Sequence, residues 1–199
     1  MNEGLEEYWK KRDFSKTAEP YGEKGGAGEK PRFVIQKHDA SHLHYDFRLE
    51  VSGVLKSWAV PKGPSTDPRK KRLAIPTEDH PLAYIDFEGV IPEGEYGAGT
   101  VMVWDTGSYR NLREEKEGEQ ISIERSIDEG KVEVWLEGKK LIGGYALIRT
   151  GKSGEKRWLF FKMDDEEADA RRNPTSTEPD SALSGRSMDE IREEEFPEK

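Results

Sequence analysis

From Phe33 to Met163 the chain reads as short apolar runs broken by turn residues. The runs are FVIQKH, LHYDFRLEV, VLKSWAV, RLAIP, TVMVWD, KVEVWLEG, YALIRT and RWLFFKM, each rich in β-branched or aromatic side chains. Clusters of Gly, Pro, Asp and Ser separate them, and no 3.6-residue periodicity persists between them. That texture predicts an all-β, mainly antiparallel fold, a barrel or a sandwich, rather than βαβ units. Residues 1–30 pass through AEPYGEKGGAGEKP, whose glycines and prolines predict an irregular N-terminal arm with a Gly/Pro-rich loop. Residues 164–199 are poor in apolar positions and are expected to be a mostly disordered acidic tail, with MDEIREEEF as a nascent helix. The expected organisation is therefore an arm (1–30), one β domain (31–163) and a tail (164–199).

Composition sharpens this division. Only 33% of the 199 residues are hydrophobic and 37% are charged, with a net charge of -9. Residues 164–199 alone hold 13 acidic and 5 basic side chains, so the remaining 163 residues are nearly neutral and nothing argues against a polyanionic partner. The chain has no cysteine, which excludes disulfides, thiolate metal sites and thiol nucleophiles. No apolar run approaches the ~18 residues of a membrane helix, and the N-terminus lacks the apolar core of a secretory signal. The expected setting is the cytoplasm, without a membrane partner.

All four histidines, His38, His42, His44 and His80, fall within 43 residues. Because strand side chains alternate, His42, His44, Asp46, Arg48 and Glu50 share one face of their strand, opposite Leu43, Tyr45, Phe47, Leu49 and Val51. Imidazole and carboxylate at His44-x-Asp46 suit Mn, Fe or Zn, with a third ligand supplied from elsewhere, His38 or His80 being the candidates. Arg48, two residues beyond Asp46, adds a guanidinium whose fork matches phosphate oxygens. The blander alternative is an amphipathic strand with a solvated polar face. A second cluster, Glu78-Asp79-His80-Pro81 with Tyr84, offers a histidine held extended before proline and a phenol able to donate to an anion. The stretch from Lys56 to Arg72 carries six basic residues against Asp67, either a solvated loop or a surface that steers nucleic acid. Gly94-Glu95-Tyr96-Gly97-Ala98-Gly99 precedes a strand, not a helix, so it reads as a glycine turn and not a phosphate loop. The five tryptophans are expected mostly in the core.

Two chemistries are consistent with these residues. One is metal-dependent phosphoester hydrolysis, with Arg, His and Lys neutralising phosphoryl oxygens. The other is a non-haem Fe(II) oxygenase built on H-x-D and a distant His, which leaves Arg48 and the basic stretch idle. A non-enzymatic nucleic-acid-binding β-barrel is the third reading.

The stretches FVIQKHDASHLHYDFRLEVSGVLKSWAVPKGPS and EDHPLAYIDFEGVIPEGEYGAGTVMVWDTG resemble the 3′-phosphoesterase domain of bacterial DNA ligase D, an enzyme of non-homologous end joining. The likeness runs from KRDF to RWLFFKM, and with no K-x-D-G ligase motif the chain resembles the free-standing form of that domain. The resemblance implies a compact single-domain β-barrel and a metal-dependent DNA-repair hydrolase, both 3′-ribonuclease and 3′-phosphatase. Such an enzyme removes a 3′-terminal ribonucleoside from a primer strand, leaving a 3′-phosphate, then hydrolyses that phosphate to a 3′-hydroxyl. It implies a manganese site at His38, His44 and Asp46, with zinc and cobalt as alternatives. Arg48 and His80 would contact the scissile phosphate with Tyr84 beside them, and Lys62 and Arg72 would serve the second step. Arg12, Asp13 and Glu19 match the N-terminal motif, and Gln36 and Glu78 match polar positions flanking the ligands, whereas His42 matches none. The implied partners are DNA or RNA-tipped 3′ ends in a primer–template, and an end-joining ligase or polymerase in trans. Nothing demands more than a monomer.

Overall fold

The computed structural model describes residues 4–22, 30–116, 118, 120–151 and 157–195. Most of the glycine-rich stretch expected as a loop, 23–29, lies outside them. In chain order the elements are α1 (Glu6–Lys10), β1 (Arg32–Asp39), β2 (Leu43–Val51), β3 (Val54–Val60), β4 (Arg72–Pro76), β5 (His80–Pro81), a 3-10 turn (Leu82–Asp86), β6 (Gly89–Ile91) and β7 (Gly99–Asn111). After these come α2 (Leu112–Glu115), α3 (Ile123–Glu129), β8 (Lys131–Gly138), β9 (Ile142–Thr150), β10 (Arg157–Lys162), α4 (Pro174–Thr177) and α5 (Met188–Glu195).

The strands pair in the order β1-β2-β3-β4-β10-β9-β8-β7, and β7 pairs back onto β1, closing an antiparallel barrel of eight strands. β5 and β6 are short additions beside β3 and β7. Closure removes the free sheet edges, so the antiparallel barrel is the one of the two expected architectures that forms. Between Ile35 and Gln36 the β1–β7 register steps from Asp105 to Val103, leaving Trp104 as the extra residue of a bulge.

Alternation sorts the side chains into two layers. Phe33, Ile35, Tyr45, Phe47, Leu49, Trp58, Trp104, Val134, Tyr145, Leu147, Trp158 and Phe160 fill the interior. Three of the five tryptophans are therefore core, while Trp9 and Trp135 are only half-buried. Val34, Leu55, Val101 and Val103 point the other way and pack under Tyr8 of α1 and under Tyr84, Ile85 and Phe87 of the 3-10 turn. The arm and the 82–87 segment thus roof the outer face of β1, β2 and β3. This roof decides the fate of the polar face of β2: Asp46, Arg48 and Glu50 are buried, not solvated.

The C-terminal segment corrects the expectation of a disordered tail. Residues 164–195 are laid along the barrel. The Ala182 amide donates to the Val103 carbonyl at 2.9 Å, and Trp104 Nε1 donates to the Glu178 carbonyl at 2.8 Å. Thr66 Oγ1 donates to the carbonyls of Asp169 and Arg172. The buried Glu88 carboxylate gathers Ser181, Ser184 and Arg186. The expected helix forms as α5, and Ile191 on it is 1% exposed within the main core. Composition misses this order because backbone groups and charges of the barrel supply much of it, with Ile191 adding an apolar anchor in an otherwise polar segment.

Candidate active site

β1 and β2 form a hairpin whose register sets His38 opposite His44 and Gln36 opposite Asp46. Cross-strand neighbours on one face stand ~5 Å apart, and the two imidazole centroids are 4.7 Å apart. His38 Nδ1 lies 3.6 Å from Asp46 Oδ2 and His44 Nε2 lies 3.6 Å from Asp46 Oδ1. Those spacings are too long for direct hydrogen bonds. One ligand atom from each residue lies within 4.8 Å of the others. The remaining ring nitrogens face backbone carbonyls, His38 Nε2 at 2.8 Å from Gly97 O and His44 Nδ1 at 2.9 Å from His42 O. Assigning the N–H to each of those nitrogens leaves the Nδ1 lone pair of His38 and the Nε2 lone pair of His44 facing Asp46. Fixing a ligand's tautomer through its second nitrogen is what a metal-binding imidazole requires. The residues present therefore fit a divalent cation.

The third position on this face is Arg48, 3% exposed. Its Nε donates to Gln36 Oε1 at 2.8 Å, Nη1 to Ser57 Oγ at 2.9 Å and Nη2 to Asp46 Oδ2 at 3.2 Å. Gln36 in turn donates to the carbonyls of Tyr84 and Phe87, tying the guanidinium to the roof. Burial would raise the Asp46 carboxyl, but Arg48 and the two imidazoles outweigh it and hold it well below the usual carboxylate range. Burial likewise pushes the His44 imidazolium down, yet Asp46 more than compensates and raises its pKa above the ordinary value.

β5 brings His80 against this group. His80 Nδ1 is 2.9 Å from the Glu78 carbonyl and 3.0 Å from Arg48 Nη1, while Nε2 is 3.3 Å from Arg12 Nη2. With the proton assigned to Nδ1, facing Glu78 O, Nε2 is free to accept from Arg12. Burial, then Arg48 and Arg12, depress the His80 pKa well below its ordinary value, so the ring is neutral. Arg12 comes from the turn after α1 and is clamped between Glu19 (2.9 Å) and Glu78 (3.1 Å), with all three side chains nearly inaccessible. Its guanidinium also lies over the Tyr8 ring. Glu19 accepts from the Tyr84 hydroxyl at 2.9 Å, and the Tyr84 ring stands edge-on to His80 at 4.7 Å.

His38, His44, Asp46, Arg48, His80, Tyr84, Arg12 and Glu78 thus line one cleft of about 240 Å³. Glu19 and Gln36 sit behind it. The Tyr84 hydroxyl is committed to Glu19, so this tyrosine meets the cleft with its ring. Asp13 is more distant: its carboxylate accepts from the Ser15 amide and hydroxyl and shapes the turn that returns the chain to Glu19. Lys62 is exposed in the turn after β3, following Val60, the partner of Tyr45. Arg72 opens β4 on the parity of the interior residue Ala74, with Nε buried and without a partner. Neither Lys62 nor Arg72 lines the cleft. Sequence reasoning missed Tyr8, Ser57 and Gly97. Ser57 was legible by alternation from Leu55, but the roles of Tyr8 and the Gly97 carbonyl depend on contacts across the fold. The turn reading of the glycine run is supported: Gly97 and Gly99 have φ of 77° and 141°, and a Cβ on Gly99 would stand 2.2 Å from Asp39 O.

The DNA Ligase D 3′-phosphoesterase domain profile matches residues 36–149, the stretch that supplies the three ligand candidates, Arg48 and His80. The chain belongs to this family. The multifunctional non-homologous end joining protein LigD of Pseudomonas aeruginosa is 49% identical over 189 residues, covering 92% of this chain and 22% of that protein. Its namesake in Mycolicibacterium smegmatis is 44% identical over 168 residues, 81% of this chain and 21% of that protein. The Mycobacterium tuberculosis DNA repair protein LigD is 47% identical over 163 residues, 80% and 20% respectively. This phosphoesterase-domain chain therefore spans about a fifth of the length of the curated relatives it matches. Among its described residues no helix is long and apolar enough to cross a membrane.

Proposed function

We propose that this chain is a metal-dependent 3′-end-healing phosphoesterase acting on DNA or RNA-tipped DNA strands. It removes a 3′-terminal ribonucleoside to leave a 3′-phosphate, and then hydrolyses that phosphate to a 3′-hydroxyl. The observation that carries this reading is the meeting, in one cleft, of a His-His-Asp ligand group with a buried guanidinium and a buried neutral histidine. An oxygenase would need the ligand group alone and would leave Arg48, Arg12 and His80 without work.

His38, His44 and Asp46 would hold the ion, manganese in this reading with zinc or cobalt as substitutes. When bound, such an ion polarises a phosphate oxygen and lowers the pKa of a water. Three of the five Arg48 N–H groups are committed to Gln36, Ser57 and Asp46. Nη1 also stands 3.0 Å from His80 Nδ1, which leaves the second N–H of Nη2 as the donor for a phosphate oxygen, where it stabilises the charge that grows there. His80 is neutral in the free site because burial and two guanidiniums disfavour its cation. A phosphate dianion on Arg48 reverses that local field and favours the imidazolium, so His80 holds a proton at Nε2 to donate to the leaving oxygen. In the free site Arg12 positions His80 by donating to Nε2. Once Nε2 is protonated that contact is lost, so Arg12 shifts onto a phosphate oxygen as the imidazolium forms, and Tyr84 backs both His80 and Arg48 with its ring. Lys62 and Arg72 serve the second step from outside this cleft.

The test is a 5′-labelled primer–template ending in ribonucleotides, incubated with MnCl₂ with and without EDTA and resolved on a denaturing gel. The expected product is one nucleoside shorter, passing through 3′-phosphate to 3′-hydroxyl only when metal is present. His44→Ala and Asp46→Ala should abolish both steps and manganese binding by calorimetry. An inert primer with manganese bound at the site would refute the reading.

A further inference from the structure

Tyr96 stands at the mouth of the cleft and is 47% exposed. It belongs to neither apolar cluster. The other tyrosines nearby behave differently: Tyr84, which lines the cleft, and Tyr8 behind it are buried, with hydroxyls donating to Glu19 and Pro20 O respectively. Tyr96 is nevertheless held firmly. Its loop is closed by the Glu95 amide donating to Pro92 O and the Ala98 amide donating to Glu95 O, both at 3.1 Å. The next residue, Gly97, gives its carbonyl to His38, so the ring is mounted on the segment that orients a candidate metal ligand. Lys11 Nζ lies over the ring at 4.8 Å from its centroid, and the Arg12 guanidinium lies 5.5 Å away. Arg12 simultaneously reaches His80 Nε2. A fixed aromatic ring, backed by a cation and half open to solvent, therefore adjoins the place where a phosphate would sit.

We propose that Tyr96 forms a nucleoside subsite, stacking on the base of the 3′-terminal nucleoside whose phosphate occupies the Arg48–His80 site. The inference rests on the phosphoesterase reading and adds how the enzyme recognises a nucleic-acid end and not a bare phosphate. Stacking suits an enzyme that must accept any terminal base, because every base has a π face and no sequence is read. The Lys11 cation, 4.8 Å from the ring centroid and 3.5 Å from the hydroxyl, helps to hold the ring in place.

The test compares two oligonucleotides ending in 3′-phosphate, one with a normal terminal base and one with an abasic terminal residue. Phosphate release with manganese gives kcat/KM, and fluorescence anisotropy in EDTA gives binding without turnover. A stacking contact predicts that the wild-type chain prefers the base-bearing strand by about 5- to 150-fold. Tyr96→Phe should keep that preference. Tyr96→Ala should bring it close to one, as should Tyr96→Leu, which retains apolar bulk without a π face. A wild-type protein indifferent to the base, or Ala and Leu variants that keep the preference, would overturn the subsite. Loss of the preference in Tyr96→Phe would overturn it as well, since the hydroxyl and not the ring would then be responsible. Base preference in binding that depends on Tyr96, without any phosphate release by wild type, would instead retain the subsite and refute the hydrolase.

Discussion

Replacing Arg48 with lysine keeps one positive charge in the cleft but removes the planar fork that reaches Gln36, Ser57 and Asp46 at 2.8 Å, 2.9 Å and 3.2 Å at once. An ammonium on a flexible stem is a point charge and cannot hold that geometry. Asp46 retains a nearby cation, so its carboxyl stays ionised and manganese should still bind to His38, His44 and Asp46. The phosphate loses a pre-placed guanidinium donor. Removing one such donor costs about 10²–10³ in rate, so Arg48→Lys should retain at most about one per cent of 3′-phosphatase activity. Folding should suffer less, by about 1–3 kcal/mol, because the buried Gln36 Oε1 is left without its donor. Phosphate release under saturating manganese, with metal affinity measured separately by calorimetry, distinguishes the two effects. Activity above about one third of wild type would refute the fork, showing that charge alone suffices. Loss of manganese binding in parallel with activity would instead make Arg48 a support for the metal site.

Three further outcomes are expected. Lys62→Ala and Arg72→Ala should leave ribonucleoside removal intact while 3′-phosphate ends accumulate on the gel, and equal loss of both steps would end that division of labour. Ile191→Ala should lower stability by about 2–5 kcal/mol, as core truncations do, and the melting temperature by about 4–20 °C; an unchanged melting curve would show that α5 is not docked. Burial pushes the Glu78 carboxyl up, but backbone hydrogen bonding, Lys11 and Arg12 outweigh it and hold its pKa below the ordinary glutamate value. A depressed carboxyl stabilises the fold above its unfolded pKa, and that contribution is lost as pH falls through the folded one. Glu78→Gln should therefore melt lower than wild type at neutral pH, with the gap narrowing on acidification below about 4.5; a gap that widens in acid would contradict the sign.

The core of the site was legible because strand alternation is a local property. His44, Asp46 and Arg48 share a face by period two, and a hairpin with few intervening residues sets His38 against His44. The same periodicity identified Tyr45, Phe47 and Leu49 as interior. The second polar cluster already offered Glu78, His80 and Tyr84, the resemblance to the phosphoesterase domain brought in Arg12, Glu19 and Gln36, and the fold supplies their contacts. Arg12 and Glu78 are 66 residues apart, and Tyr84 and Glu19 are 65 apart. No pattern along the chain says that they meet.

The strand texture, the polar and apolar faces of β2 and the ligand types available all follow from local sequence. Tertiary structure alone decided that the polar face is buried under a roof from the arm and the 82–87 segment, which keeps His80 neutral and Asp46 ionised. It also decided that the acidic C-terminal segment is ordered, and that Lys62 and Arg72 lie outside the cleft. The reason is one of range. Alternation is fixed by φ and ψ over a few residues, whereas burial, tautomer and pKa depend on which distant groups barrel closure brings within a few ångströms.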